Sequence, residues 1–236
     1  MQISCIICVY NEGPRIGNIL KAVIAHPRLS EIIVVNDGST DDTDAVLRTY
    51  PQIHLISYKD NRGKTYAMGQ GMAQAKYETI MLLDADLSGI THEDIEALAQ
   101  PVVEGWSDVS LSLRRNSLSL YRLIGLDFVT GERVIPANLF KDAATVFSTL
   151  PRWGAEVFIN ARIIKANLRI AVVPWNNVYN VRKYNKVGFI KGVLEEMGMV
   201  RDALSVLPLP SMVMQHIQML RRKTSPVHKK TAAVSF

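Results

Sequence analysis

The chain has 236 residues, 48% of them hydrophobic and 21% charged, which excludes a disordered or fibrous chain and suffices for one large α/β domain. Its net charge of +5 lies entirely in the last sixteen residues, where Arg221, Arg222, Lys223, Lys229 and Lys230 occur with no acid. The preceding body is neutral and gives no nucleic-acid signal.

The first apolar run predicts a strand over Ile3–Val9. It carries Cys5 and Cys8 in a C-x-x-C spacing, but residues three apart on a strand point to opposite faces. Two inert buried thiols are expected rather than a redox or zinc pair. The run ends at Asn11-Glu12 and has no basic leader, so it does not read as a signal peptide. No apolar run reaches the roughly eighteen residues of a membrane-spanning helix. A cytoplasmic chain is expected, resting at most peripherally on the inner face of the membrane.

Further strands are expected at Glu31–Val35, Ile53–Ser57, Thr79–Leu83 and Asp108–Leu113, alternating with helices at Pro14–Ala25, Asp41–Thr49, Lys64–Ala75 and His92–Gln100. The strands are almost wholly apolar, as when helices cover both faces of a parallel sheet. Repeated βα units of this kind give a doubly wound sheet. Beyond Leu113 the pattern is less regular, with a helix near Glu156–Ala166 and a strand near Leu168–Val173.

Polar clusters follow the strands: Tyr10-Asn11-Glu12-Gly13, Asn36-Asp37-Gly38-Ser39, Lys59 to Lys64, and Asp84-Ala85-Asp86. Ligands of open α/β sheets bind outside the carboxyl ends of the strands, so these clusters mark one candidate site. Asp84 and Asp86, two apart on an extended segment, share a side and suit a hard divalent cation. The plain alternative is a solvated acidic turn that caps the next helix. Gly38 permits a sharp turn, Ser39 or Thr40 can cap a helix, and Asp37 can accept hydrogen bonds from a base or ribose. Arg62 and Lys64, beside Gly63, suit phosphate oxygens. On the residues alone this is a nucleotide or phosphate site with a metal.

Val9-Tyr10-Asn11-Glu12, Asn36-Asp37-Gly38-Ser39-Thr40-Asp41, Asn61-Arg62-Gly63-Lys64 and Leu83-Asp84-Ala85-Asp86, in this order and spacing, resemble the family-two glycosyltransferases of the GT-A fold. The resemblance covers residues 1 to about 113. It implies a mostly parallel α/β sheet flanked by helices, in a single domain with a helical, amphipathic C-terminal tail. It also implies a nucleoside-diphosphate (NDP) sugar donor lined by Tyr10, Asn11, Glu12, Asp37, Arg62, Lys64, Asp84, Ala85 and Asp86, with Mg²⁺ or Mn²⁺ on Asp84 and Asp86. The expected division is 1–200 for the catalytic domain, 1–113 forming the donor half and 114–200 the acceptor half, then a tail over 201–236.

The second half resembles the polyprenyl-phosphate sugar synthases and the related sugar-phosphoglycerate synthases. The matching segments are Ser112-Leu113-Arg114-Arg115, Thr130-Gly131-Glu132-Arg133, Trp153-Gly154-Ala155-Glu156 and Asn180 to Gly188. That likeness implies that Arg114 or Arg115, together with Arg133, faces an acceptor phosphate. Asp86, Glu156 and Arg133 are the catalytic candidates, with Glu156 as base or acceptor-positioning carboxylate. Where relatives can carry a histidine near the metal this chain has Asn180, a carbonyl-oxygen donor that does not titrate. None of the five histidines falls in a strand-end cluster.

Residues 197–220 hold five of the nine methionines and precede the basic segment. They either pack on the body or, with the cations, rest on an anionic membrane surface. The leading expectation is metal-dependent, inverting transfer of a hexose to a lipid-linked phosphate such as polyprenyl phosphate. The alternative is retaining transfer to a small phosphorylated acid such as 3-phosphoglycerate. More remote are a sugar nucleotidyltransferase, whose first loop is richer in glycine, and a non-catalytic NDP-sugar-binding module.

Overall fold

The computed structural model describes residues 1–24, 26–180, 201 and 205–225. In chain order the strands are β1 (Ile3–Val9), β2 (Leu29–Asp37), β3 (His54–Tyr58), β4 (Thr79–Asp84), β5 (Leu87–Ser88), β6 (Val109–Arg114), β7 (Arg133–Pro136), β8 (Ile170–Trp175) and β9 (Tyr179–Asn180). The helices are α1 (Gly13–Val23), α2 (Thr43–Leu47), α3 (Lys64–Gln74), α4 (His92–Val103), α5 (Ser119–Ile124), α6 (Ala143–Thr149), α7 (Ala155–Lys165) and α8 (Leu209–Leu220). The end of the helix predicted to reach Ala25, the late segment from Val181 to Gly188, the 200/201 boundary, and Lys229 and Lys230 lie wholly or partly outside the described residues.

Seven strands make one sheet in the order β3-β2-β1-β4-β7-β6-β8. β1 is central and wholly apolar; it pairs in parallel with β2 (Ile7↔Val34) and β4 (Ile7↔Leu83). Its alternate side chains feed two cores. Ile3, Cys5, Ile7 and Val9 pack under α1 and α4, and Ile6 packs under α3, α6 and α7. Cys8 faces the second core and Cys5 the first, as the strand period requires, and burial pushes both thiols up from their ordinary pKa.

The expected βα alternation holds through β6. The irregular half contains what it did not show: β7 inserts between β4 and β6 and runs antiparallel to both. The sheet is thus mostly parallel, with one reversed central strand. The predicted end of the fourth helix at Gln100 is overrun by one turn, through the buried Pro101, and Glu104 N–H closes onto Gln100 O at 2.9 Å.

The small ribbon β5–β9 pairs Leu87 with Asn180 and Ser88 with Tyr179. It brings the C-terminal half of the chain over the end of β4. The segment assigned to the tail is partly body. α8 buries Gln215 and Met219 against α7, with Gln215 Nε2 donating to Val157 O at 2.9 Å. Ile170 N–H donates to Arg222 O at 2.9 Å, joining the end of α8 to β8.

Candidate active site

The strand-end clusters converge at one edge of the sheet. Asp84 ends β4, Lys64 opens α3, and Glu156 lies in the first turn of α7. Lys64 Nζ bonds Asp84 Oδ1 at 2.7 Å and Glu156 Oε1 at 2.8 Å. Burial pushes the Asp84 carboxyl up, but Lys64 and then Arg114 outweigh it and hold it at about 2. Burial likewise disfavours the Lys64 ammonium, and Asp84 and Glu156 reverse that, so its pKa stands above the ordinary value.

Two further residues fix this spacing. Thr65, fully buried, donates from Oγ1 to Arg152 O at 2.9 Å and accepts from Gly154 N (3.1 Å) and Ala155 N (3.2 Å). It therefore ties the start of α3 to the start of α7. Asp37 accepts from Arg62 N and Gly63 N, both at 2.8 Å, and from Asn61 Nδ2 at 3.1 Å. Gly63 stands at φ +97°, a backbone state that side chains resist, and it serves as the N-cap position of α3.

Asn180 spans the two carboxylates. Its Nδ2 donates to Asp86 Oδ1 at 2.8 Å and to Asp84 Oδ2 at 3.3 Å, while its Oδ1 is buried with no hydrogen-bond partner. Asn116 grips its backbone, donating from Nδ2 to Asn180 O at 3.0 Å and accepting from Asn180 N at 3.3 Å. With the amide turned over, the unpaired Asn180 Oδ1 would join Asp84 and Asp86 as a third oxygen donor, a donor set that suits a hard divalent cation. Among the described residues no group of three or more His, Cys, Asp and Glu side chains is placed to hold a metal ion.

Several expected contacts are placed differently. Arg133 is fully buried on β7, its guanidinium donating to Thr130 O and, at 3.0 Å, to Asn160 Oδ1. That enclosure corrects its expected role at an acceptor phosphate. Arg114 is turned inward onto Glu132 (2.7 Å), Asp84 (3.6 Å) and Asp127 (3.8 Å). Arg115 is exposed and stacks on the Tyr179 ring at 4.6 Å, beside Asn180. Of the two candidate arginines, only Arg115 is open to an acceptor.

Ser39 and Thr40 do not cap α2. The helix starts at Thr43, and Asp41 Oδ1 accepts the Thr43 N–H at 3.0 Å. Ser39 Oγ instead accepts from Asn11 N at 3.0 Å, and Thr40 N donates to Asn11 Oδ1 at 2.8 Å. Asn11, at φ +54°, and Glu12, buried and paired with Arg15, are likewise bonded into these loops. Tyr10 stands out into solvent, Ala85 is buried, and Arg62 lies over the Tyr66 ring at 3.7 Å.

Thr65, Asn116 and Asp127 were not singled out from the sequence, and Glu132 stood in a matching segment without a role. Glu132 is fully buried and accepts from Ser112 Oγ (2.7 Å), Thr130 Oγ1 (2.6 Å) and Arg114 (2.7 Å). Burial raises its pKa against the pull of Arg114. Its sequence signal was its place in Thr130-Gly131-Glu132-Arg133, where the role was expected of Arg133.

Residues 4–133 match the family described as Glycosyl transferase family 2. The chain belongs to that family. Over 89 residues it is 38% identical to poly-beta-1,6-N-acetyl-D-glucosamine synthase of Staphylococcus epidermidis, a match covering 36% of this chain and 21% of that protein. Over 100 residues it is 35% identical to 4,4'-diaponeurosporenoate glycosyltransferase of Staphylococcus aureus, covering 41% and 27%. The match thus spans little more than a quarter of these curated relatives at most. Among solved structures, glucosyl-3-phosphoglycerate synthase from Mycobacterium tuberculosis, in complex with Mn²⁺, UDP and glucosyl-3-phosphoglycerate, shares the fold. The TM-score is 0.67 at 19% identity, covering 87% of this chain and 79% of that one.

Proposed function

We propose that the chain transfers a hexose from an NDP-sugar to a phosphate-bearing acceptor, with a divalent cation held by Asp84, Asp86 and Asn180. The observation that carries this reading is the Asn180 amide bridging Asp84 and Asp86 with its own oxygen buried and unpaired. Family membership and the fold shared with a synthase structure that holds Mn²⁺ and UDP support it. The cation would supply positive charge to the diphosphate leaving group.

The remaining chemistry belongs to side chains. Asp84 and Glu156 fix the Lys64 ammonium, which offers its third N–H to a diphosphate oxygen. Glu156, tied to Lys64, serves as a positioning carboxylate. A phosphate acceptor is already anionic and needs little general base, so the rate rests on alignment and electrostatics. Arg115, over the Tyr179 ring and exposed to solvent, would meet the acceptor phosphate.

A lipid-linked phosphate with inversion is the first reading of the acceptor. A small phosphorylated acid with retention is the second, favoured by the fold shared with structures of a synthase bound to phosphoglyceric acid. The test offers labelled NDP-sugars with Mg²⁺ or Mn²⁺ to polyprenyl phosphate and to 3-phosphoglycerate. Transfer to one of them, abolished by Asp86→Ala and reduced by Arg115→Ala, is expected. NDP-sugar binding without transfer or hydrolysis in any arm would leave a binding module instead.

A further inference from the structure

We propose that the outer faces of α5 and α8 form one docking surface for an anionic lipid bilayer. Among the described residues ten large hydrophobic side chains are exposed, and eight of these lie in 118–129 and 209–217. A soluble surface normally scatters such residues singly; concentration on two neighbouring elements marks an interaction face.

The two helices are neighbours. The Tyr121 ring meets the His216 ring at 5.8 Å, and Lys223 Nζ donates to Gly125 O at 2.9 Å. α8 is apolar on two sides. Met212, Gln215 and Met219 turn to the body, whereas Val213, Met214 and Ile217, spaced for one helical stripe, face outward. On α5, Leu120 and Leu123 are 60% and 85% exposed, and no residue of the helix is buried.

Charge selects the occupant. Segments 118–129 and 209–225 contain four arginines and lysines and one acid, Asp127, which is buried. Of these, Arg122, Arg221 and Lys223 are exposed around the apolar stripe. Apolar side chains ringed by cations match an anionic interface, where the chains enter the acyl boundary and the cations meet headgroups. A second copy of the chain would instead bring the same cations together without an acid to answer them. No helix among the described residues is long and apolar enough to cross a membrane, so the contact is peripheral. Exposed Arg115 and Leu118 lie just before α5 in the chain, so the same contact would bring the acceptor side toward the lipid. The surface stands apart from the donor site. NDP-sugar binding is measured without vesicles, so the two readings fail separately.

The test is co-sedimentation of the full chain with vesicles of phosphatidylcholine alone or with about one-third phosphatidylglycerol. Binding only to the anionic vesicles, weakened by salt, is expected. The exposed pairs Leu120→Asp with Leu123→Asp, and Val213→Asp with Ile217→Asp, should each lower binding at least about tenfold with an unchanged thermal midpoint. Arg122→Gln and Arg221→Gln should each lower it about fivefold. Equal binding to neutral and anionic vesicles, no binding to either, or indifference to the helix substitutions would overturn the proposal. So would a double-mass species that becomes single-mass in Leu123→Asp with Ile217→Asp, because a second copy would then cover the face.

Discussion

One methyl group at position 131 is enough to disturb the Asp84 carboxylate. A Cβ added to Gly131 would lie 2.6 Å from Asp84 Oδ2 and nearer still to Oδ1. The glycine has no left-handed backbone to preserve, so Gly131→Ala should fold and push the carboxylate aside. Transfer should fall about a hundredfold, as displacements near one ångström commonly cost. Circular dichroism and kcat/KM measured together check this; full activity would show that Asp84 need not sit where it does. Asp84 and Asp86 were legible because carboxylates directly after an apolar run are conspicuous, Lys64 because it stands in a basic loop beside Gly63, and Glu156 through the resemblance carried by Trp153-Gly154-Ala155-Glu156. The partners of Asp37, Asn11 and Ser39 were not, because those side chains bond between loops far apart in the chain. Arg133 misled for a related reason: its residue type suits phosphate, yet it follows a loop whose strand the sequence did not show. Burial, not chemistry, decides its role.

Elements bring residues together that the sequence keeps far apart. Asn180 reaches Asp86 only because two-residue strands pair across the site, and such short strands leave no periodic trace. The parallel strands were readable because they are long, apolar and separated by helices. β7, four residues long and antiparallel, was not. The joint between α3 and α7 has a direct test in Thr65→Val. The substitution keeps the shape and removes a hydroxyl serving three buried backbone groups. A loss of about 2 kcal/mol in urea unfolding is expected, together with lower activity as the Lys64–Glu156 contact loosens. Unchanged stability would mean that water replaces the hydroxyl there.

For the whole molecule, the response to acid comes partly from histidines that fold in neutral form. Burial lowers the pKa of His26, and likewise that of His216. A base of this kind takes up a proton more readily when unfolded. Its stabilising effect is therefore complete above about pH 6.5 and is lost as pH falls below that value. Asp37 and Glu132, whose carboxyls are raised, act with the opposite sign. The useful comparison is therefore against His26→Gln. The urea midpoint should fall between neutral and mildly acidic pH, and fall less in that variant; identical slopes would assign the loss elsewhere.

The most direct test of the proposed cation site is the thermal midpoint of the full chain with UDP-, GDP- and ADP-sugars, each with and without Mg²⁺ or Mn²⁺. A ligand that binds only the native state raises the midpoint by mass action. A rise for one nucleotide only when metal is present, lost in Asp86→Asn and reduced in Asn180→Ala, is expected. A rise of the same size without metal, or one indifferent to both substitutions, would contradict the assignment of Asp84, Asp86 and Asn180 to a cation.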